Sequence, residues 1–252
     1  MFDLKGKVAI ITGGNGGIGL GMARGLAAAG ARVVVAGRNA DKSQLAVREL
    51  VGLGADAYPI EADVTDEAAV ARLVKTTLER CGRLDIVVNN AGTNIRKPVQ
   101  DLSLEEWHTV MDTNLTSAFL CSRAAYPALK AAGGGKVVNI GSMLSIFGVQ
   151  FAPAYGASKG GIVQLTKSTA AAWAPDNIQV NAVLPGWIDT DLTRRGRRDI
   201  PRLHDSVLRR TPAGRWGTID DMSGVAVFLA SAASDFVTGA VIPVDGGYSI
   251  QG

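Results

Sequence analysis

Cysteine is scarce in this sequence. The 252 residues include two, Cys81 and Cys121, which cannot make a disulfide framework or, by themselves, a metal site. Both lie in stretches with helical character, so we interpret them as reduced packing residues. We therefore predict a chain that is stabilised by its core and that binds no metal.

Long apolar runs and an excess of one charge are also lacking. No run approaches the roughly 20 residues of a membrane span, and the first residues lack a signal-peptide core. The 26 basic and 23 acidic residues leave a formal net charge of +3, without the concentrated basic surface of a nucleic-acid-binding protein. We expect a cytoplasmic protein whose partner is a small molecule, with neither membrane nor nucleic acid involved.

Short β-branched runs alternate with segments of helical periodicity, which is typical of a parallel sheet covered on both faces. We predict one doubly wound α/β domain over residues 1–252, with a sheet of about seven strands. The predicted strands are Val8–Thr12, Arg32–Ala36, Ala55–Glu61, Ile86–Asn89, Lys136–Ile140, Gln179–Leu184 and Ala240–Pro243. The predicted helices are Ile18–Ala29, Ala40–Leu53, Glu67–Arg80, Leu104–Lys130, Ala154–Ala174 and Asp220–Ala230.

The least regular stretch is Gly186–Trp216, which is rich in arginine and contains Pro201 and Pro212. It follows the sixth predicted strand, so it should lie over the carboxyl edge of the sheet, where doubly wound folds bind ligands. We predict a substrate lid at about residues 186–216. Its arginines either steer an anion toward the cleft or form a solvated face.

A glycine-rich turn, Thr12-Gly-Gly-Asn-Gly-Gly-Ile-Gly19, joins the first predicted strand to the first helix. Glycines let the backbone turn sharply and approach a pyrophosphate, whose charge is met by amides at the helix N-terminus. The turn favours a dinucleotide site, with a tight packing turn as the alternative. The residues expected at this site are Gly13, Asn15, Gly17, Ile18 and Gly19.

The end of the second strand selects between dinucleotides. A carboxylate there would bind the ribose 2′-hydroxyl of NAD, whereas Gly37 leaves room and Arg38 can pair with a 2′-phosphate. We therefore expect NADP(H), bound near Arg38 and Asn39, with NAD(H) as the alternative. A second basic residue in the glycine loop would strengthen this prediction, but Asn15 and Gly16 stand there, and Arg38 could equally be a solvated surface charge.

Tyr155 and Lys159 are four residues apart at the start of a long predicted helix, so their side chains share one face. Ser142 closely follows the fifth strand and should lie at the same sheet edge. A free tyrosine has a pKa of about 10, and the Lys159 ammonium would stabilise its phenolate. In reduction the phenol would protonate a carbonyl oxygen as hydride reaches the carbon, while Ser142 donates a hydrogen bond to that oxygen.

Over essentially its whole length the sequence resembles the short-chain dehydrogenase/reductase family. The motifs that carry the resemblance are Thr12-Gly-x-x-x-Gly17-x-Gly19, Asp63, Asn89-Asn-Ala-Gly92, Asn114, Ser142, Tyr155-x-x-x-Lys159 and Pro185-Gly186. The resemblance implies an oxidoreductase that interconverts an alcohol and a ketone with a nicotinamide cofactor. It also implies a homotetramer packed partly through the two long predicted helices.

The same resemblance assigns roles to further residues. It implies that Asn114 holds a water linking Lys159 to solvent, and that Lys159 binds the nicotinamide ribose; an Asn114 amide that only stabilises a turn is the alternative. The implied cofactor contacts are Asp63 and Val64 at the adenine, Asn90, Ala91 and Gly92 along the groove, and Pro185, Gly186, Ile188 and Thr190 at the nicotinamide end.

Substrate contacts should come from the loops beyond Gly92, Ser142 and Gly186. The candidates are Asn94, Arg96, Leu144, Gln150 and Trp187. Their polar members suit a hydroxylated, anionic substrate, and the local sequences are similar to the sugar and sugar-acid branch of the family. One alternative is a 3-oxoacyl-carrier-protein reductase, since an acidic carrier would suit the lid arginines. The other is a non-catalytic dinucleotide-binding regulator, which would have no need of the catalytic side chains.

Overall fold

Seven parallel strands form one sheet in the computed structural model, which describes residues 1–251. The strands are β1 (Val8–Thr12), β2 (Arg32–Gly37), β3 (Ala57–Glu61), β4 (Ile86–Asn89), β5 (Gly135–Ile140), β6 (Ile178–Pro185) and β7 (Val241–Val244). Their order, β3-β2-β1-β4-β5-β6-β7, confirms the predicted doubly wound sheet. The strand order reverses between β1 and β4, so a crevice opens beyond the carboxyl ends of these two strands.

Helices cover both faces of the sheet. They are α1 (Gly17–Ala28), α2 (Ala40–Gly52), α3 (Glu67–Cys81), α4 (Leu104–Met111), α5 (Ser117–Ala131), α6 (Pro153–Trp173), α7 (Asp191–Asp199), α8 (Leu203–Arg210) and α9 (Ser223–Ala230). Within residues 1–251, none of them has both the length and the apolar composition needed to cross a bilayer.

The central strands are buried on both faces, as a parallel sheet requires. Ile10 of β1 pairs with Val34 of β2 and with Val87 of β4. These three side chains pack with α3 and α5, while their strand neighbours Val33 and Val35 pack with α1 on the other face. Because all strands are parallel and in register, every loop that follows a strand opens at the same edge of the sheet.

The segment predicted to be irregular contains two helices, α7 and α8, so that prediction was incomplete. Helix α7 has the sequence Asp-Leu-Thr-Arg-Arg-Gly-Arg-Arg-Asp, which offers no apolar stripe for periodicity to detect. Its start is set by a capping box, in which the Thr190 side chain accepts a hydrogen bond from the Thr193 amide. A left-handed Arg202 and the adjacent Pro201 separate it from α8.

The predicted single helix Leu104–Lys130 is interrupted. Residues Asp112–Thr116 form a π-helical turn between α4 and α5. A π-helical turn contains one residue more than an α-helical turn. The apolar pattern runs through the turn, so sequence periodicity could not reveal this extra residue. The turn contains Asn114, which is 2% exposed.

We predict that Gly21→Ala will destabilise the fold strongly. A Cβ at Gly21 would overlap the backbone carbonyl of Ile219, so α1 would have to move away from the segment before α9. We expect a loss of about 3 kcal/mol or more in the free energy of unfolding, measured by urea denaturation. Gly224→Ala is the matched control, because a Cβ at Gly224 meets no atom within 4 Å. Equal stability of the two variants would contradict this packing.

Candidate active site

The glycine-rich turn is bonded to the segment after β4. The Asn90 side chain donates hydrogen bonds to the Thr12 and Gly13 carbonyls at 3.0 and 3.1 Å. In return, the Thr12 hydroxyl accepts hydrogen bonds from the Asn90 and Ala91 amides. A Cβ at Gly19 would overlap the Asn90 amide, so Gly19 keeps this turn compact. The predicted phosphate loop and the predicted cofactor groove therefore form one rigid unit at the crevice.

Tyr155 and Lys159 lie on the first turns of α6. Lys159 is 3% exposed, and its ammonium donates a 2.7 Å hydrogen bond to the Ile140 carbonyl at the end of β5. The ammonium lies 5.7 Å from the centroid of the Tyr155 ring. Burial lowers the pKa of Lys159 to about 8. The lysine and the phenol are thus adjacent at the sheet edge.

Burial raises the pKa of Tyr155, while a hydrogen bond with Ser142 and the charge of Arg96 lower it. The Ser142 oxygen also accepts a 3.1 Å hydrogen bond from the Leu144 amide, which leaves the hydroxyl proton available for donation. In addition, Ser145 ties this turn to α6 by donating to the Lys159 carbonyl at 2.7 Å. The structure therefore brings together the three side chains that the sequence singled out.

Asn114 connects the π-helical turn to two neighbouring segments. Its side-chain oxygen accepts from the Thr93 amide at 2.7 Å, and its amide donates to the Thr93 carbonyl and the Ser158 hydroxyl, both at 3.0 Å. Ser158 in turn donates to the Tyr155 carbonyl at 2.8 Å. Asn114 therefore fixes the start of α6 against the loop after β4. Its implied role in holding a water stays a prediction.

One cavity of about 360 Å³ extends from the glycine loop to Ser142, Tyr155 and Lys159 and on to the segment after β6. Eighteen of the predicted site residues line it: Gly13, Asn15, Gly17, Ile18, Asn90, Ala91, Gly92, Asn94, Arg96, Ser142, Leu144, Tyr155, Lys159, Pro185, Gly186, Trp187, Ile188 and Thr190. The predicted residues that lie outside its lining are Gly19, Arg38, Asn39, Asp63, Val64, Asn114 and Gln150.

Several of these outlying residues have other partners. The Asn39 side chain caps α2 by accepting from the Lys42 amide at 2.8 Å, and Val64 is 7% exposed in an apolar cluster. Asp63 accepts from the amide and hydroxyl of Thr65, and the amide hydrogen bond is the main cause of its lowered pKa. Arg38 is exposed and lies 3.8 Å from Asp63. Of these residues, Arg38 and Asn39 are thus exposed, whereas Val64 is buried.

The far end of the cavity is lined by residues of the segment 186–216, which the sequence predicted to be a lid. Arg96 donates a 3.0 Å hydrogen bond to the Leu192 carbonyl of α7 and lies 3.6 Å from Asp199. Trp187 packs edge to face against Trp216, with ring centroids 5.6 Å apart. Gln150, a substrate candidate, is exposed, and the adjacent Phe151 lines the cavity in its place.

Sequence reasoning missed several lining residues, among them Lys42, Thr193, Leu203 and Tyr248. Lys42 could have been found, because it lies in the first turn of a predicted helix and only four residues after Arg38. Tyr248 reaches the cavity from the segment after β7 and packs 6.4 Å from Trp187, measured between ring centroids. Nothing in its local sequence indicates that contact.

Comparison with known proteins shows which family shares this site. Residues 13–249 match the family described as enoyl-(acyl carrier protein) reductase. A short-chain type dehydrogenase/reductase from Mycobacterium marinum has the same fold, with a TM-score of 0.94, 38% identity, and coverage of 98% of this chain and 97% of that one. The chain belongs to the short-chain dehydrogenase/reductase family. As a short-chain dehydrogenase/reductase it is an oxidoreductase, which confirms the activity class predicted from its motifs.

Two further short-chain dehydrogenase/reductases resemble the chain over nearly its full length. It is 42% identical to 2-dehydro-3-deoxy-D-gluconate 5-dehydrogenase from Dickeya dadantii, over 98% of this chain and 97% of the relative. A gluconate 5-dehydrogenase from Burkholderia cenocepacia, crystallised with NADP and tartrate, shares 41% identity and a TM-score of 0.95, over 100% of this chain and 98% of that one.

We predict that the buried Lys159 makes stability depend on pH. Its pKa is about 8 in the fold and about 10.4 in an unfolded chain, so between these values the unfolded state binds more protons and stability rises with pH. Below pH 8 the full cost of burying the charge is present. The free energy of unfolding of Lys159→Met, relative to that of the wild type, should therefore be highest at about pH 7. This difference should become smaller toward about pH 10.

Urea denaturation of the cofactor-free protein across that pH range measures the difference. Lys75→Met is the control, because the Lys75 side chain is 75% exposed and should show no such trend. A constant difference between Lys159→Met and wild type would show that the lysine does not titrate in a buried environment.

Proposed function

We propose that this short-chain dehydrogenase/reductase transfers a hydride between NADP(H) and a hydroxyl or keto group of a sugar acid. The observation that carries the proposal is that Ser142, Tyr155 and Lys159 line the same cavity as the glycine-rich loop. A dinucleotide bound along that loop would have its reactive ring beside the phenol. The lid then covers the remaining space, where a small substrate would lie.

The residues present fit a nicotinamide dinucleotide. Gly13, Gly16 and Gly17 line the cavity without side chains, next to the N-terminus of α1, whose amides favour an anion. Gly17 has φ +52°, and a Cβ there would lie 3.3 Å from the Thr190 methyl group. A side chain would therefore narrow the groove between the loop and the lid. When bound, the cofactor supplies or accepts the hydride.

The choice of NADP(H) over NAD(H) rests on the end of β2. Arg38 is mostly exposed, and its ion pair with Asp63 at 3.8 Å is long, so its charge is available to a 2′-phosphate. No carboxylate stands at Gly37 or Arg38 to bind a free 2′-hydroxyl. The Burkholderia cenocepacia gluconate 5-dehydrogenase, crystallised with NADP, supports the same choice.

In ketone reduction, Tyr155 would donate its proton to the substrate oxygen while Ser142 donates a hydrogen bond to that oxygen. Lys159, whose pKa is about 8, carries its proton at neutral pH and stabilises the resulting phenolate. Asn114 would keep α6 in place through Ser158, so that Tyr155 stays in reach. In alcohol oxidation the phenolate would accept the proton instead.

A sugar acid is favoured by the positive charge at the substrate end. Arg96 lines the cavity, and its charge lowers the pKa of Tyr155, so an anionic group nearby would be attracted. The Dickeya dadantii and Burkholderia cenocepacia relatives are named for gluconate-type substrates. For the alternative, an acyl-carrier substrate, two of the lid arginines, Arg194 and Arg197, pair with Asp189 and are not free to bind an acidic carrier. The regulator alternative leaves the assembled catalytic side chains without a use.

Three further features stay predictions. The lid at residues 186–216 should move for substrate entry, because its two short helices carry few apolar side chains. The homotetramer and the cytoplasmic location rest on the family resemblance and on composition.

We predict that the purified protein reduces keto-sugar acids with NADPH. A panel of keto-gluconates, 3-oxoacyl thioesters and simple cyclic ketones, each assayed with NADPH and NADH at 340 nm, tests this directly. We expect kcat/KM to be highest for a keto-sugar acid with NADPH. A higher kcat/KM for the 3-oxoacyl thioester would show that the substrate class is an acyl thioester. If the protein reduces no compound of the panel, the proposal is contradicted.

We predict that Tyr155→Phe lowers kcat by about 10² or more because it removes the proton donor. The cofactor dissociation constant should change little, since the phenol lies beyond the dinucleotide loop. Tyr126→Phe is the matched control, because Tyr126 donates to Asp176, beyond the end of α6 that is remote from Tyr155, and does not line the cavity. Wild-type turnover in the Tyr155 variant would show that another group supplies the proton.

A further inference from the structure

The side chain of Lys42 lies directly over the glycine-rich loop. A Cβ at Gly16 would be 2.9 Å from both the Cε and the Nζ of Lys42. The ammonium therefore occupies the space that a side chain at Gly16 would fill. Lys42 also lines the cavity that contains the catalytic side chains.

A hydrogen bond between the glycine-rich loop and α2 supports this arrangement. The Asn15 side-chain amide donates to the Ser43 hydroxyl at 3.0 Å, and a Cβ at Gly37 would lie 2.6 Å from that amide. The glycine loop is thus drawn against the first turn of α2. Because Gly37 carries no side chain, the space between the loop and α2 stays narrow, and Lys42 reaches across it.

Two cations follow β2 closely along the chain. Arg38 precedes α2 and Lys42 belongs to its first turn, four residues later. Lys42 is paired with Asp191 at 3.4 Å, and the two side chains are 47% and 68% exposed. An exposed pair of this length contributes about 1 kcal/mol at most, so a phosphate with a charge near −2 would compete for the ammonium.

We propose that Lys42 is the second 2′-phosphate-binding cation of this protein and supplies, from α2, the positive charge that Gly16 cannot. The inference rests on the proposed NADP(H) dependence. Arg38 would bind the phosphate from the strand side and Lys42 from the helix side. The two together determine the preference for NADP(H), and Lys42 leaves Asp191 when the phosphate binds.

The test measures binding without turnover. Dissociation constants for adenosine 2′,5′-bisphosphate and adenosine 5′-monophosphate, which lack the nicotinamide, are obtained by titration calorimetry for wild type and Lys42→Met. We expect the variant to lose about tenfold in affinity for the bisphosphate, with little change for the monophosphate. Lys42→Arg should retain most of the difference, and Arg38→Met should lower it as Lys42→Met does.

Lys75→Met is the matched control, since Lys75 lies on α3, pairs with Glu79 and should affect neither ligand. Equal losses for both nucleotides would assign Lys42 to the 5′-phosphate and overturn the proposal. An unchanged bisphosphate affinity in Lys42→Met, with a wild type that still prefers the bisphosphate, would overturn it while leaving NADP(H) dependence intact. A wild type without that preference would remove both.

Discussion

The buried ammonium of Lys159 is the constraint on which the catalytic geometry depends. An ammonium removed from water needs hydrogen-bond partners, and the structure provides the Ile140 carbonyl at 2.7 Å. That bond links α6 to the carboxyl end of β5, two residues before Ser142. The same interaction therefore brings together Lys159, the Tyr155 phenol on the same helix, and the Ser142 hydroxyl just after β5.

Further side-chain contacts also hold the start of α6 in place. Ser145 binds the Lys159 carbonyl, while Asn114 reaches α6 through Ser158. Together with the Ile140 carbonyl at the end of β5, Ser145 and Asn114 hold the start of α6 from three other parts of the chain. Burying the Lys159 ammonium is nevertheless costly for stability, because an apolar side chain at this position would lose less hydration free energy on folding. In the proposed mechanism this charge stabilises the Tyr155 phenolate, so the site would exchange stability for activity.

The sequence predicted the doubly wound sheet and the convergence of Ser142, Tyr155 and Lys159 at one edge of it, because these features follow from local patterns. Strand periodicity, the glycine turn and the i, i+4 spacing of Tyr155 and Lys159 are all readable within a few residues. The misses have a different origin. Helix α7 lacks an apolar stripe, the π-helical turn at Asn114 leaves the apolar pattern intact, and Tyr248 reaches the cavity through tertiary packing alone. Lys42 is the intermediate case, since the sequence places it four residues after Arg38 but only the fold places it over Gly16.

The lid helix α7 is held at both ends by cations that the proposals assign to ligands. Lys42 pairs with Asp191 at its first residue, and Arg96 binds the Leu192 carbonyl and approaches Asp199 at its last. A 2′-phosphate at Lys42 and a carboxylate at Arg96 would each compete with the lid for the same charge. Cofactor and substrate would then both weaken contacts that hold α7, at Asp191 in one case and at Leu192 and Asp199 in the other. On the two proposals, the anionic substrate and the 2′-phosphate of the cofactor would therefore compete for cations that hold the same helix.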